Sequence, residues 1–145
     1  MISDIKIIDL KTHADERGFF REITRFSNEF PDINVGQISH SKVKEGIVKA
    51  WHGHVYQYQW NYVVSGILKV CLFDNRRNSS TYKKKVEIDI NNIIMPVLYF
   101  FPPGVLHGYK CLEGPLDIIY ITSGQYDLKD EVRISNEELN IDYKW

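Results

Sequence analysis

Short hydrophobic runs separated by turn-forming residues recur along the chain. The run KVEIDI at residues 85–90 alternates cleanly, with Val86, Ile88 and Ile90 at the apolar positions. An alternation with a period of two is typical of a strand that buries one face. We predict further strands in the other short hydrophobic runs, which are residues 5–10, 46–51, 61–65, 67–73, 98–101 and 116–122.

Helical periodicity is weak in this sequence. Residues 21–30 have room for one or two helical turns, and residues 136–139 for one. Glycine, proline, asparagine and aspartate separate the strand-like runs at intervals of about eight to twelve residues, which is typical of a sandwich or barrel. A length of 145 residues suits one domain. We therefore expect a single all-β domain over residues 1–145 with little helix.

The composition and charge limit the partners of this chain. Hydrophobic residues make up 43% and charged residues 26%, as in a folded globular protein. The net charge is −1, so no broad positive field attracts nucleic acid or an anionic membrane. No run approaches the ~20 apolar residues of a transmembrane helix, and Asp4 and Lys6 interrupt the N-terminal run where a signal peptide would be apolar. We expect neither nucleic acid nor membrane as a partner.

The two cysteines and a basic stretch have simple interpretations. Cys71 and Cys111 lie far apart in apolar runs, and two such cysteines do not make a disulfide framework. We expect both thiols to be reduced and the protein to be cytoplasmic. Residues 75–85 (NRRNSSTYKKK) are basic, and we interpret them as a solvated hairpin loop in preference to a phosphate site.

Three of the five histidines lie in two spaced motifs. Histidines at i and i+2 of one strand point to the same side of a sheet, and a third histidine from another strand can join them. The motif residues are Gly46, His52, Gly53, His54, Gln59 and Gly66 in the first, and Pro102, Pro103, Gly104, His107 and Cys111 in the second. They resemble the two motifs of the cupin superfamily, although Gln59 replaces a usual Glu and Cys111 a usual Asn. The resemblance implies a cupin-type double-stranded β-helix, a jelly-roll barrel, with the histidines facing inward.

A closer resemblance extends over nearly the whole chain. In order, the matching segments are residues 15–22 (DERGFFRE), 37–41 (QISHS), 49–52 (KAWH), 73–81 (FDNRRNSST), 103–109 (PGVLHGY), 119–120 (IY) and 136–141 (NEELNI). These segments are similar to the motifs of the dTDP-4-dehydrorhamnose 3,5-epimerase family. The chain resembles a short, divergent member of that family.

This resemblance implies an isomerase of surface-polysaccharide or deoxysugar biosynthesis. The family moves a proton at a carbon beside the 4-keto group of a nucleotide-linked 6-deoxysugar, which requires a positioned base and stabilisation of the developing enolate. His52 matches the family's base, and an ordinary histidine pKa near ~6.5 suits that role at neutral pH. Tyr120 matches the acid on the opposite face of the sugar. Glu137 matches a carboxylate that orients the base.

Other residues match positions that contact the substrate. Arg17 matches a residue on the diphosphate, which suits a guanidinium fork, and His107 matches a histidine near the keto oxygen. The remaining expected substrate-binding residues are Glu22, Gln37, Ser39, Lys49, His54, Gln59 and Arg76. The implied ligand is a nucleotide-diphosphate sugar, with no cofactor and no metal. In the family the N-terminal strand crosses between subunits, which implies a homodimer in which Arg17 and Glu22 serve the partner's site.

Several departures from the family pattern leave alternatives open. Residues 57–62 contain no lysine, whereas the family has one near the developing oxyanion, and Gln59 offers only a neutral hydrogen bond. Lys49 stands in place of an arginine and Glu137 in place of an aspartate. A double epimerisation, a single epimerisation, a 3,4-ketoisomerisation and another nucleotide sugar are all compatible with this pattern.

Two functions of other classes are also compatible with the motifs. One is a metal-binding cupin, such as an oxygenase, with Zn²⁺, Fe²⁺ or Mn²⁺ on His52, His54 and His107. Gln59 would be a poor fourth ligand there because it is neutral. The other is a nucleotide-sugar-binding cupin without catalytic activity.

Overall fold

The computed structural model describes residues 1–141 and 143–145. The elements in these residues are ten strands and two one-turn helices: β1 (Lys6–Asp9), β2 (Thr12–Asp15), β3 (Gly18–Arg21), α1 (Phe26–Glu29), β4 (Gln37–Val43), β5 (Val48–His54), β6 (Gln59–Asp74), β7 (Lys85–Asn91), β8 (Val97–Phe101), β9 (Val105–Thr122), β10 (Glu131–Arg133) and α2 (Asn136–Leu139). In this part of the chain, neither helix has the length and apolar character to cross a membrane.

Eight of the strands form one antiparallel sheet that curves into a jelly roll. Its order is β1-β8-β6-β9-β5-β10, with β4 added to β9 and β7 added to β6. Strands β6 and β9 pair along most of their lengths, and the register shifts three times between Val63 and Leu68. Such irregularities bend a sheet, because the extra residues increase its local twist. The prediction of an all-β, cupin-type fold is confirmed.

Residues 61–65 and 67–73 were expected as two strands but belong to the single strand β6. Gly66, which separates the two hydrophobic runs, has φ +90° and lies at the bend. A Cβ there would be 2.9 Å from the backbone of both Glu113 and Leu116, so glycine permits the close approach of β9. The glycine that suggested a turn therefore bends the strand without ending it.

Strand β4 was not predicted, and its polarity explains why. Ile38 faces outward with 66% of its surface exposed, whereas Gln37, Ser39 and Ser41 face the inside of the barrel. The usual hydrophobic-inside pattern is therefore reversed along this strand. A strand whose inner face is polar lines a cavity, because buried polar groups need partners or water.

Apolar side chains fill the rest of the barrel interior. Leu68, Val70 and Leu72 of β6 pack with Leu116 and Ile118 of β9, all less than 2% exposed. A second cluster on the outside packs α1 against β6 and β8 around Trp60. This packing fixes β6 and β9 as the rigid frame on which the cavity is built.

Candidate functional site

A cavity of about 230 Å³ opens at one end of the barrel. Strands β4, β5, β6, β9 and β10 contribute its walls. Residues outside any strand or helix complete them, and these are Gln57, Tyr126, Asp127 and Asp130. It collects eight of the residues expected from sequence, which are Gln37, Ser39, Lys49, His52, His54, Gln59, His107 and Tyr120. The motifs on separate strands therefore converge on a single site.

Strand geometry brings the three motif histidines together. His52 and His54 occupy alternate positions of β5, and His52 pairs directly with His107 of β9. The ring centroid of His107 lies 6.1 Å from that of His52 and 6.2 Å from that of His54. Gly53 separates the two β5 histidines, and a Cβ there would lie 2.6 Å from a methyl carbon of Leu106. The small residue lets β5 lie close against β9.

His52 is held neutral and only loosely coupled to a carboxylate. Its Nδ1 lies 3.9 Å from Oε1 of Glu131, which is itself paired with Arg133 at 2.8 Å. Burial, and next the charge of Arg133, lower the pKa of His52, while Glu131 raises it. The net effect places the pKa below its ordinary value, so the imidazole has a free lone pair at neutral pH. That is the state that a general base requires.

His54 is tightly bonded on both sides of its ring. Its Nδ1 lies 2.6 Å from Oδ2 of Asp130, and its Nε2 lies 2.8 Å from Oε1 of Gln59. Asp130 is 1% exposed, and its Oδ1 also accepts hydrogen bonds from the backbone N–H groups of Tyr56 and Gln57. His54 is therefore fixed in orientation by a buried network.

His107 lies at the floor of the cavity against an aromatic ring. Its centroid is 4.5 Å from that of Phe101, and burial holds its pKa well below the ordinary value. Its Nδ1 is buried and has no hydrogen-bond partner among the described residues. The ring lines the cavity, and a neutral imidazole can donate one hydrogen bond to a polar atom of a ligand there.

Tyr120 reaches the cavity from β9 and lies between the strands β4 and β6. Its Cα partners are Ser39 and Asn61. The hydroxyl oxygens of Tyr120 and Tyr109 are 2.7 Å apart. Burial raises the pKa of Tyr120, so its hydroxyl keeps its proton at neutral pH.

Glu137, expected to orient His52, does not lie beside it. Glu137 is exposed on α2 and does not line the cavity. Helix α2 begins at a capping box of Ser135 and Glu138, which explains this acidic segment structurally. Glu131 is the carboxylate that lies beside His52. The order of residues along the chain did not indicate which acidic residue β10 carries to the site.

Arg76, expected to bind substrate, does not line the cavity in the described chain. Its guanidinium pairs with Asp74, which is fully buried, and with Asp4. Ser79 and Thr81 donate further hydrogen bonds to Asp74, and the hydrogen bonds to this carboxylate hold its pKa far below the ordinary value despite burial. This network attaches the β6–β7 loop to the N-terminus. A guanidinium occupied in this way serves the fold.

Arg17 and Glu22 lie away from the cavity in the described chain. Arg17 is on the turn of the β2–β3 hairpin, with 81% of its side chain exposed, and it pairs with Asp15. Glu22 pairs with Arg25 at the surface. The hairpin forms its own two-stranded sheet. That these residues serve a partner's site stays a prediction.

The acidic residues that line the cavity, Asp127, Asp130 and Glu131, were not predicted from sequence. The additional polar or aromatic residues that line the cavity are Ser41, Gln57, Tyr109, Thr122, Tyr126, Asp127, Asp130 and Glu131. One available signal was the segment YDLKDE at 126–131, which places three carboxylates directly after a predicted strand. Polar residues after a strand end cluster at one mouth of a barrel.

The contacts of His54 bear on the alternative of a metal-binding site. Nδ1 of His54 faces Asp130 and its Nε2 faces Oε1 of Gln59, so a metal at Nε2 would have to displace the contact with Gln59. Within the described residues, no group of three or more His, Cys, Asp or Glu side chains has a metal-holding arrangement. The minority hypothesis of a metal on His52, His54 and His107 gains no support from this geometry.

Comparisons with known proteins agree on one family. The sequence model of the family described as dTDP-4-dehydrorhamnose 3,5-epimerase matches residues 1–145. The chain is 37% identical over 148 residues to the spore coat polysaccharide biosynthesis protein SpsL of Bacillus subtilis, covering 100% of this chain and 97% of the relative. It is 28% identical to the dTDP-4-dehydrorhamnose 3,5-epimerase of Shigella flexneri, covering 99% of this chain and 83% of that enzyme.

A solved structure has the same architecture. It is the dTDP-6-deoxy-D-glucose-3,5-epimerase of Legionella pneumophila in complex with dTDP-4-keto-L-rhamnose, with a TM-score of 0.86 and 25% sequence identity. The match covers 98% of this chain and 79% of that structure. The fold of this chain is therefore that of a solved sugar-nucleotide epimerase.

Proposed function

The chain belongs to the dTDP-4-dehydrorhamnose 3,5-epimerase family, a family of isomerases, and on that premise we propose that it inverts a carbon beside the ketone of a dTDP-linked 4-keto-6-deoxysugar. The observation that carries the proposal is that His52 and Tyr120, the two expected proton-transfer groups, line the same cavity. The ligand of the Legionella structure and the spore-coat role in the name of the Bacillus relative support a sugar of this class, made for a surface polysaccharide.

The first step is removal of the proton by His52. The hydrogen on the carbon beside the ketone passes to a ring nitrogen of the neutral imidazole, and the bonding electrons move onto the keto oxygen. Glu131, 3.9 Å from Nδ1, stabilises the imidazolium that results. The lowered pKa of His52 keeps the base unprotonated before this step.

The negative charge on the keto oxygen needs a hydrogen-bond donor. We assign this role to His107, whose ring lines the cavity beside His52. Gln59 is less suited, because its amide already bonds to both His54 and Asn61. A neutral imidazole is a weaker donor than the ammonium of the family's lysine. We therefore expect slower enolate formation than in relatives that have the lysine.

The second step is protonation from the other face by Tyr120. Its hydroxyl hydrogen passes to the carbon, the carbonyl re-forms and the carbon is inverted. His52 then holds one extra proton and Tyr120 lacks one, and solvent at the cavity mouth restores both. These two side chains account for inversion without a cofactor, and we propose that the reaction uses no metal.

Deuterium incorporation tests the proposed function. The folded protein is incubated with dTDP-4-keto-6-deoxy-D-glucose in heavy water, and NMR follows the hydrogens beside the ketone. We expect deuterium with inversion at one or both carbons, which also separates single from double epimerisation. In Tyr120→Phe, deuterium should enter from His52 without inversion. No incorporation by the folded wild-type protein with this or a related 4-keto sugar would refute the proposal.

We also propose a homodimer in which the β2–β3 hairpin of one subunit completes the site of the other. Arg17 is exposed, and so are two nearby aromatic residues, Phe19 at 61% and Phe20 at 66%. Their exposure supports a hairpin that a second subunit covers. Sedimentation should give a dimer. In an equimolar mixture of Arg17→Ala and His52→Gln chains that have exchanged subunits, half of the dimers are mixed and each mixed dimer has one intact site of two. About a quarter of wild-type activity should therefore return. No recovery would place Arg17 outside the partner's site.

The two thiols support a proposal for the compartment. Cys71 and Cys111 are both buried and unpaired. Free thiols persist in a reducing environment. We propose that the protein works in the cytoplasm.

A further inference from the structure

Tyr109 lines the cavity but takes no part in the proton transfers proposed for His52 and Tyr120. Its hydroxyl oxygen is 2.7 Å from that of Tyr120, and both residues line the cavity. We propose, resting on the proposed function, that Tyr109 is a positioning residue for Tyr120. It donates its hydroxyl hydrogen to the oxygen of Tyr120 and stabilises the tyrosinate that forms when Tyr120 protonates the substrate.

The bend of β9 creates this contact. Tyr109 lies in the first half of the strand, opposite Lys49 of β5, and Tyr120 lies in the second half, opposite Ser39 of β4. The two tyrosines are eleven residues apart in sequence and meet because the sheet curves between them. Their hydroxyl groups are therefore held together by the backbone of the barrel.

A tyrosinate at this position needs such a donor. Tyr109 is 4% exposed, and burial raises the pKa of Tyr120. Forming a phenolate away from water is costly unless a hydrogen bond stabilises its charge. An O–H donated to O⁻ is charge-assisted and stronger than a neutral hydrogen bond. The hydrogen bond from Tyr109 acts against burial and lowers the pKa of Tyr120.

Ser41 and Lys49 extend the same chain of donors. The hydroxyl of Ser41 also lowers the pKa of Tyr120, although less than Tyr109 does. Lys49 donates to Oγ of Ser41 at 3.5 Å, and Lys49 is the cross-strand partner of Tyr109. A cation thus lies behind the hydroxyl groups that surround the acid. In this chain, the positive charge of Lys49 lies near the proposed acid Tyr120. The lysine that the family has near the developing oxyanion is missing.

Tyr109→Phe removes the donor and keeps the ring. We expect kcat for inversion to fall about 10- to 100-fold, the effect of one hydrogen bond to a charged group, with KM within about twofold because substrate contacts are retained. Deuterium incorporation catalysed by His52 should be affected much less. Tyr99→Phe is the matched control: it removes the hydroxyl of a buried tyrosine that does not line the cavity.

A titration of the resting protein tests the pairing without any substrate. Tyrosine labelled with ¹³C at the phenol carbon is followed by NMR against pH, and Tyr120→Phe identifies the resonance of Tyr120. We expect Tyr120 to titrate at a higher pH in Tyr109→Phe than in wild type and in Tyr99→Phe. An unchanged titration, or an equal loss of kcat in Tyr99→Phe, would overturn the proposal. A shifted titration in a protein that exchanges no sugar would support the pairing and contradict the proposed function.

Discussion

The two histidines of β5 lie two residues apart and face one cavity, yet their surroundings differ sharply. His54 contacts the buried Asp130 at 2.6 Å, and its side chain is 19% exposed, whereas His52 is 37% exposed and lies 3.9 Å from Glu131. The first pair is fixed by hydrogen bonds on both ring nitrogens. The second leaves the imidazole free to gain and lose a proton. This difference suits the looser pair to the proposed proton transfer and the tighter pair to holding the site in shape.

The largest effect should come from replacing the free histidine. His52→Gln removes the base, and we expect deuterium exchange to fall about 10³-fold, within the range of general-base catalysis. His54→Gln should lower the same rate by less than about tenfold, because Gln can still bond to Asp130. Rates measured by NMR in heavy water decide this, with circular dichroism as the check on folding. Equal losses in the two variants would break the distinction.

The next largest effect should be a loss of stability when the tight pair of His54 and Asp130 is weakened. Asp130→Asn weakens charge-assisted hydrogen bonds to His54 and to two backbone N–H groups. We expect the free energy of unfolding to fall by about 2 kcal/mol. Urea denaturation measures it. Glu131→Gln, the matched change in the loose pair, should cost less than about 1 kcal/mol.

Glu131→Gln should instead slow the reaction. Without this carboxylate the imidazolium of His52 is less stable, and we expect kcat to fall about three- to fivefold, as for one partly exposed ion pair. Because the charge of Glu131 raises the pKa of His52, its loss should move the acidic limb of the pH–rate profile to lower pH. A limb that stays in place would show that Glu131 is uncoupled from the base.

The smallest effect should come from Arg133. Its charge lowers the pKa of His52, so Arg133→Gln should raise that pKa and move the acidic limb of kcat/KM to higher pH. Since the base acts when unprotonated, the variant loses activity at mildly acidic pH and approaches wild-type activity above neutrality. Opposite displacements in the Arg133 and Glu131 variants would identify His52 as the group that titrates.

Much of this site was predictable from sequence, because short motifs with glycine and proline fix local geometry. The spacing of His52 and His54 put them on one side of a strand, the cupin resemblance put both and His107 inside the barrel, and the family resemblance pointed to Tyr120; all four line the cavity. Asp130 was not predicted, because its contact with His54 spans 76 residues and no local pattern records it. Arg76 resembled a ligand contact in sequence, but its buried partner is visible only in the folded chain.

The fold shows the same division. The clean alternation of β7 predicted its bounds to within a residue. Strand β4 was not predicted, because its polar residues face inward and its apolar residue Ile38 faces outward. Hydrophobic patterning finds strands that face a core, and β4 faces a cavity. Polar alternation next to histidine motifs is the signal that would have found it.

Strand β9 bonds to β4, β5 and β6 and carries His107, Tyr109 and Tyr120. Amide hydrogens in the middle of such a sheet exchange with solvent only when the sheet as a whole opens. Heat inactivation and melting should therefore coincide, and the activity left after brief heating would count the molecules that are still intact.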